Sequence, residues 1–415
     1  MALSKKPVTG MKDILPYEME VRDYVISVIK ETYGKFGFTS METPCVEAIG
    51  NLSNKQGGEN EKLIFKILKR GEKLRLHTAK EEVDLVDGGL RYDLTVPLVR
   101  YYSNHAGELP MPFKALQIGP VWRADRPQRG RYRQFYQCDI DILGDPSNLA
   151  EIELILATTT TLGKLGFKGF QIRINERRIL KAMAAYSGFS EDAYDSVFIT
   201  LDKMDKIGID GVEKELVEAG YEPEVVERYA SLFQEIQLAE NGLVYLAETL
   251  GESLESEVRH SLYEIIESVQ ATKSSDFEIL FDPTLVRGMS YYTGTIFEIA
   301  IPEFGGSCGG GGRYDKMIGN FTGKDVPACG FSIGFERIVL LLLENGFQIP
   351  HTSQKVAYLI EKGIASQELA KIIAKAQVER QNGTQVLVSR MNKNKKFQKE
   401  QLAKEGYVVY QEFYR

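Results

Sequence analysis

The chain has 415 residues, 43% hydrophobic and 26% charged, an ordinary globular composition whose length exceeds one comfortable core and predicts two or three domains. No apolar run could span a bilayer, the start MALSKKPVTGMKDILP lacks the apolar stretch of a signal peptide, and Cys45, Cys138, Cys308 and Cys329 form no CxxC pair, so no metal cluster or disulfide framework is expected and a reduced, cytoplasmic protein is. The net charge of −7 argues against nucleic acid, yet residues 355–415 carry 12 Lys+Arg against 6 Glu and leave −13 on the remainder, which suits either a partly anionic partner or a solvated basic face.

In chain order, Val21, Tyr24, Val25, Val28 and Ile29 recur at helical spacing behind Pro16, predicting a helix over 17–33 that ends near Gly34. KLIFKIL, KLRLH and GLRYDLTVPLVRYY are rich in β-formers and read as strands. FKALQIGPVWRAD and YRQFYQCDIDILG read as an antiparallel pair joined by the arginine-rich RPQRGR. From about Glu176 the pattern turns helical, with Gly stops, as in GVEKELVEAG and GLVYLAETLG. Strand character returns in FEILFDPTLV and TGTIFEIAIP. GFERIVLLLLENG, apolar almost all round, reads as a buried helix. After a linker with Pro350 the order β-α-β-α-β predicts a small α/β domain.

GGSCGGGG at 305–312 is the conspicuous low-complexity stretch. It lacks the register of a dinucleotide fingerprint, and GNFTGKD at 319–325 is one residue short of a Walker loop and ends in Asp325. The alternatives are a flexible turn, or a strand without side chains where a ligand or neighbouring backbone comes close.

Charge for a phosphate ligand is supplied elsewhere. VWRADRPQRGRYR holds Arg123, Arg126, Arg129, Arg131 and Arg133, and Arg337 sits beside IVLLLL, where a buried guanidinium must be paired or meet an anion. Arginines converging on one pocket point to a polyphosphate substrate. Groups suited to a small polar ligand accompany them: Asp93 and Thr95 in RYDLTVP, Gln137 and Asp141 on one face of a strand, and Tyr291 and Tyr292 after Arg287.

GMKDILP, RYDLTVP, FKALQIGPVWRADRPQRGRYRQFYQCDIDILG, RGMSYYTGTIFE and GGGGRYD with GFSIGFER resemble, in this order, the histidyl-tRNA synthetase family of class II aminoacyl-tRNA synthetases. METPCVE resembles motif 1, the arginine block motif 2, GFSIGFER motif 3, and RGMSYYTG the histidine-specific motif, in which Ser290 stands where many members have Asp. The resemblance implies an α+β fold: an antiparallel catalytic sheet in two parts, residues 1–175 and 273–346, a helical insertion at 176–272, and a small C-terminal α/β domain at 355–415, shorter than the family's five-stranded anticodon-binding unit. It implies a cytoplasmic homodimer that uses ATP and Mg²⁺ to join L-histidine to tRNA(His).

By the same resemblance, Arg123, Arg287 and Arg337 are catalytic. Asp93, Leu94, Thr95, Arg123, Gln137, Asp141, Arg287, Tyr291 and Tyr292 hold histidine. Arg123, Asp125, Arg131, Phe135 and Arg337 hold ATP, and Arg126 and Gln128 approach the acceptor end of the tRNA. The glycines would then leave room for histidine or the ribose, so Gly311→Val should damage activity more than stability. The competing reading is a histidine-binding paralogue similar to the regulatory subunit of ATP phosphoribosyltransferase. Such proteins tend to lose the ATP and tRNA residues, and this chain keeps its arginines.

Overall fold

The computed structural model describes residues 4–53, 61–286, 291–350 and 353–415. One compact unit takes in Val25–Leu342 with the N-terminal strip up to Asp13, and a second takes in Ile14–Tyr24 and Leu343–Arg415.

A helix, Pro16–Lys35, opens the chain, and its Val25, Ile29 and Tyr33 are fully buried in the first unit. The strands that follow are β1 (Thr39–Ser40), β2 (Val46–Ala48), β3 (Lys66–Leu68), β4 (Val86–Leu90), β5 (Phe113–Trp122), β6 (Gln134–Leu143) and β7 (Phe170–Glu176). Helices fill most of 177–272, and then come β8 (Phe277–Phe281), β9 (Thr295–Ile301), β10 (Gly306–Arg313) and β11 (Ala328–Ile333). The main sheet has the order β1-β5-β6-β11-β10-β9-β7-β8; from β5 to β7 every neighbouring pair is antiparallel. A smaller sheet has the order β2-β4-β3. In the second unit β12 (Lys355–Ile360), β13 (Gln385–Arg390) and β14 (Val409–Phe413) form a parallel sheet, β13-β12-β14, with helices Ser366–Gln381 and Lys395–Lys404 as crossovers. Among the described residues no helix is long and apolar enough to cross a membrane.

The expected hairpin is present: β5 and β6 pair over ten positions, from Phe113 opposite Leu143 to Trp122 opposite Gln134. The β reading of the segment before it needs correction. Thr95–His105 is a helix, and KLRLH forms no strand. Pro97 falls in the first turn, where its missing N–H is harmless. Leu98, Val99 and Tyr102 then form one buried face, so packing overrides the β-branched composition. Leu76 of KLRLH is 62% exposed and has no strand to pair with.

The glycine cluster is β10, a central strand, and its glycines answer chiefly to the neighbouring strands. A Cβ on Gly311 would lie 1.9 Å from the Gly330 carbonyl oxygen on β11, and one on Gly312 would lie 2.6 Å from the Thr295 carbonyl oxygen. Backbone cannot yield as a side-chain tip can. The expectation that Gly311→Val harms activity more than stability is therefore reversed. Gly311→Ala should lower folding stability by about 3 kcal/mol or more, visible as a large fall in thermal midpoint. An unchanged midpoint would contradict the close approach.

Candidate active site

A cavity of about 290 Å³ opens over the centre of the main sheet, within the first unit. Strand alternation builds its floor. Phe135, Gln137, Asp139 and Asp141 are every second residue of β6 and all line it. Glycines of β10 and β11 line it beside them. Gly330 stands opposite Asp141 in register, and a Cβ there would lie 2.0 Å from Asp141 Oδ1, so this glycine is what admits the acid.

Most of the residues singled out from the sequence converge here. Asp93, Thr95, Gln137, Asp141, Tyr291 and Tyr292 line the cavity, as do Arg123, Asp125, Arg131, Phe135 and Arg337. Three do not. Leu94 is buried outside it, and its carbonyl accepts from Gln117 Nε2 at 3.0 Å. Arg126 and Gln128 are exposed on the β5–β6 connection, where Gln128 exchanges backbone hydrogen bonds with Arg131. Arg287 lies outside the described residues, as does Ser290.

The arginines are held by rings and carbonyls. Arg123 donates from Nε to the Tyr92 carbonyl at 3.0 Å, and its guanidinium lies 4.2 Å from the Tyr92 ring centroid and 5.2 Å from that of Phe135. Arg337 donates to the Ser307 carbonyl and lies 5.3 Å from the Phe304 ring centroid. Flat cations over aromatic faces keep their charge while losing freedom to move.

The acids are buried. Asp93 is 9% exposed, Asp139 5% and Asp141 3%. Asp93 Oδ1 accepts the Val96 N–H at 3.0 Å, at the entry to helix Thr95–His105. Asp141 Oδ1 accepts from the Tyr314 hydroxyl at 2.5 Å. Burial raises the Asp93 carboxyl above the usual range. Burial, then the neighbouring Asp141 charge, raises Asp139 well above it. Burial pushes Asp141 up to about 7, against the pull of the Tyr314 hydrogen bond. Such a site favours a cationic ligand group.

The sequence reading gave no role to Asp139, Tyr314, Ser332 or Glu336, all of which line the cavity. For Asp139 the signal was available: the alternation that joins Gln137 to Asp141 passes through it. Tyr314 and Ser332 required knowledge of which strands lie side by side.

A family model described as histidyl-tRNA synthetase matches residues 10–338. The chain belongs to this family. It is 47% identical over 349 residues to a histidine–tRNA ligase of Leifsonia xyli subsp. xyli, covering 82% of this chain and 81% of that protein. It is 40% identical over 365 residues to the corresponding ligase of Flavobacterium johnsoniae, covering 81% and 77%. Among solved structures, a histidyl-tRNA synthetase from Nostoc sp. PCC 7120 superposes with a TM-score of 0.77 at 26% identity, covering 99% of this chain and 92% of that one. A Bacillus halodurans protein described as an ATP phosphoribosyltransferase regulatory subunit/histidyl-tRNA synthetase superposes at 0.78 with 19% identity over the whole of both chains, a likeness of fold alone.

The raised carboxyl of Asp141 has a measurable consequence. Its folded pKa of about 7 exceeds the unfolded value of about 3.9, so the native state holds the proton more tightly between the two. This group's contribution to stability therefore falls as pH rises from 4 to 7 and stays low above. Asp141→Asn should stabilise the protein relative to wild type at pH 8, by on the order of 2 kcal/mol, and by much less at pH 5. Thermal unfolding at both pH values checks this; a pH-independent difference would contradict it.

Proposed function

We propose that the chain is a histidine–tRNA ligase, which activates L-histidine with ATP to histidyl-adenylate and pyrophosphate and then transfers the histidyl group to the 3′ end of tRNA(His). The observation that carries the reading is the meeting of buried acids and aromatic-held arginines in one cavity. The acids suit the α-ammonium and imidazole of histidine, and the arginines suit a triphosphate.

In the first step a histidine carboxylate oxygen attacks the α-phosphorus of ATP, the bond to the β-phosphate oxygen breaks, and pyrophosphate leaves. The carboxylate is already a nucleophile, so the protein's task is alignment and stabilisation of charge on the α-phosphate. Arg123 serves the α-phosphate and the histidine carboxylate, and Arg131 and Arg337 serve the β- and γ-phosphates. Asp125 reads the adenine and Phe135 stacks on it. Asp93, Thr95 and Gln137 take the α-ammonium, and Asp141 and Tyr292 take the imidazole, with Tyr291 beside them. Arg287 is the further cation at the α-phosphate. Mg²⁺ would arrive with ATP, held mainly through its phosphate oxygens. In the second step a hydroxyl of the terminal adenosine attacks the histidyl carbonyl and AMP leaves, with Arg126 and Gln128 at the acceptor end.

We also propose a cytoplasmic homodimer formed through the METPCVE region, the helices of 176–272 as an insertion into the catalytic unit, and residues 355–415 as a reduced anticodon-binding domain. The regulatory-subunit alternative is not favoured: the curated relatives above are named ligases, and Arg123, Arg131 and Arg337 line the cavity.

Histidine-dependent ATP–pyrophosphate exchange tests the first step. Purified protein should catalyse it, and Arg123→Ala should lower kcat/KM at least about 100-fold. Absence of exchange by the wild type would sink the ligase reading; full exchange by the variant would remove Arg123 from it.

A further inference from the structure

Among the described residues, the buried side-chain atoms without a hydrogen-bond partner include two acceptors on one strand face, Gln137 Oε1 and Asp139 Oδ1. Both side chains line the cavity. They are tied together below these atoms: Gln137 Nε2 donates to Asp139 Oδ2 at 3.3 Å and to Ser332 Oγ at 3.4 Å. That arrangement fixes the amide orientation and leaves its oxygen free. A buried carboxylate oxygen without a donor is costly, and the sheet has no need of one, since β6 pairs through its backbone.

Each of the three cavity acids has a donor on one oxygen, but only Asp139 also leaves a fully buried oxygen without one. Asp93 Oδ1 takes the Val96 N–H, and Asp141 Oδ1 takes the Tyr314 hydroxyl. Asp139 and Gln137 therefore offer adjacent orphan acceptors, one of them a carboxylate. The group that matches is a cation with several donors on one atom. A primary ammonium has three, whereas each imidazole nitrogen has at most one.

Resting on the histidine reading, we propose that Asp139 is a further substrate-positioning residue, which with Gln137 receives the α-ammonium of L-histidine and leaves Asp141 to the ring. Position along the strand agrees. Asp139 lies two residues from Gln137 and two from Asp141, about 7 Å from each along β6, so ammonium and ring can be served by successive side chains of one face. The burial and the neighbouring Asp141 charge that raise the Asp139 carboxyl well above its usual range also mean that a cation beside it would be strongly welcomed.

The test uses two histidine analogues and the full-length protein. L-histidinol keeps the ammonium and the ring; imidazole-4-propionate keeps the ring and the carboxylate but lacks the ammonium. Binding is followed by calorimetry, or by ligand-detected NMR where affinity is weak. Asp139→Asn should weaken histidinol about 30-fold and leave imidazole-4-propionate within about twofold of wild type. Asp139→Ser is the second variant should Asn fail to fold, judged by thermal unfolding. Equal weakening of both analogues would place Asp139 at the ring and overturn the proposal; no change in either would make it structural. Wild-type protein that binds no L-histidine would overturn the histidine reading itself, and this proposal with it.

Discussion

Burying Asp93, Asp139 and Asp141 around one cavity is the constraint to which the rest of the catalytic unit answers. Carboxylates resist leaving water, and three of them near one another resist more. The sheet tolerates them because each is anchored: Asp93 at the entry to a helix, Asp141 by the Tyr314 hydroxyl, Asp139 by the Gln137 amide. The unit gives up stability here and gains a site that waits for positive charge. On the proposed function, the ammonium of histidine would supply it.

The glycines of β10 and β11 are the complement of the acids. Side chains on Gly330 would expel Asp141, and side chains on Gly311 would push β10 away from β11. The central strands thus approach closely, and the floor is left to the alternate residues of β6. Tyr314 and Arg313 follow directly from the glycine strand. Arg313 makes a buried ion pair with Glu151 at 2.6 Å and donates to the Asp145 and Ser147 carbonyls, so the backbone that carries Tyr314 to Asp141 is fixed from the side. The arginines come from the β5–β6 connection and from the helix Phe335–Glu344, outside the crowded centre, where aromatic faces hold them. Phe135 with Arg123 and Asp141 with Tyr314 are six residues apart on β6, about 20 Å along the strand. A substrate pair joined end to end, nucleotide to amino acid, suits that length.

Much of this was legible because it is local. The β5–β6 hairpin follows from two β-rich runs around an arginine-rich connection, and the α/β tail from the alternation of periods. The clustering of Asp93, Gln137, Asp141 and the arginines followed from their residue types together with the family resemblance. What was not legible depends on neighbours in space. Thr95–His105 is a helix because Leu98, Val99 and Tyr102 share a buried face, although its composition favours a strand. Gly311 looked like room for a ligand until β11 was found 1.9 Å from its missing Cβ. The alternation that joins Gln137 to Asp141 places Asp139 on the same face, but nothing in YQCDIDIL says that its oxygen will be left without a donor. Leu94 shared a motif with Asp93 and Thr95, but its side chain belongs to the core.

The most direct measurement is aminoacylation of a tRNA(His) transcript by the purified protein, with labelled L-histidine and ATP. Ligase function predicts acid-precipitable histidyl-tRNA that requires ATP and is lost from a transcript truncated at its 3′ end. Binding of L-histidine with neither charging nor ATP–pyrophosphate exchange would contradict it and return the chain to the regulatory reading.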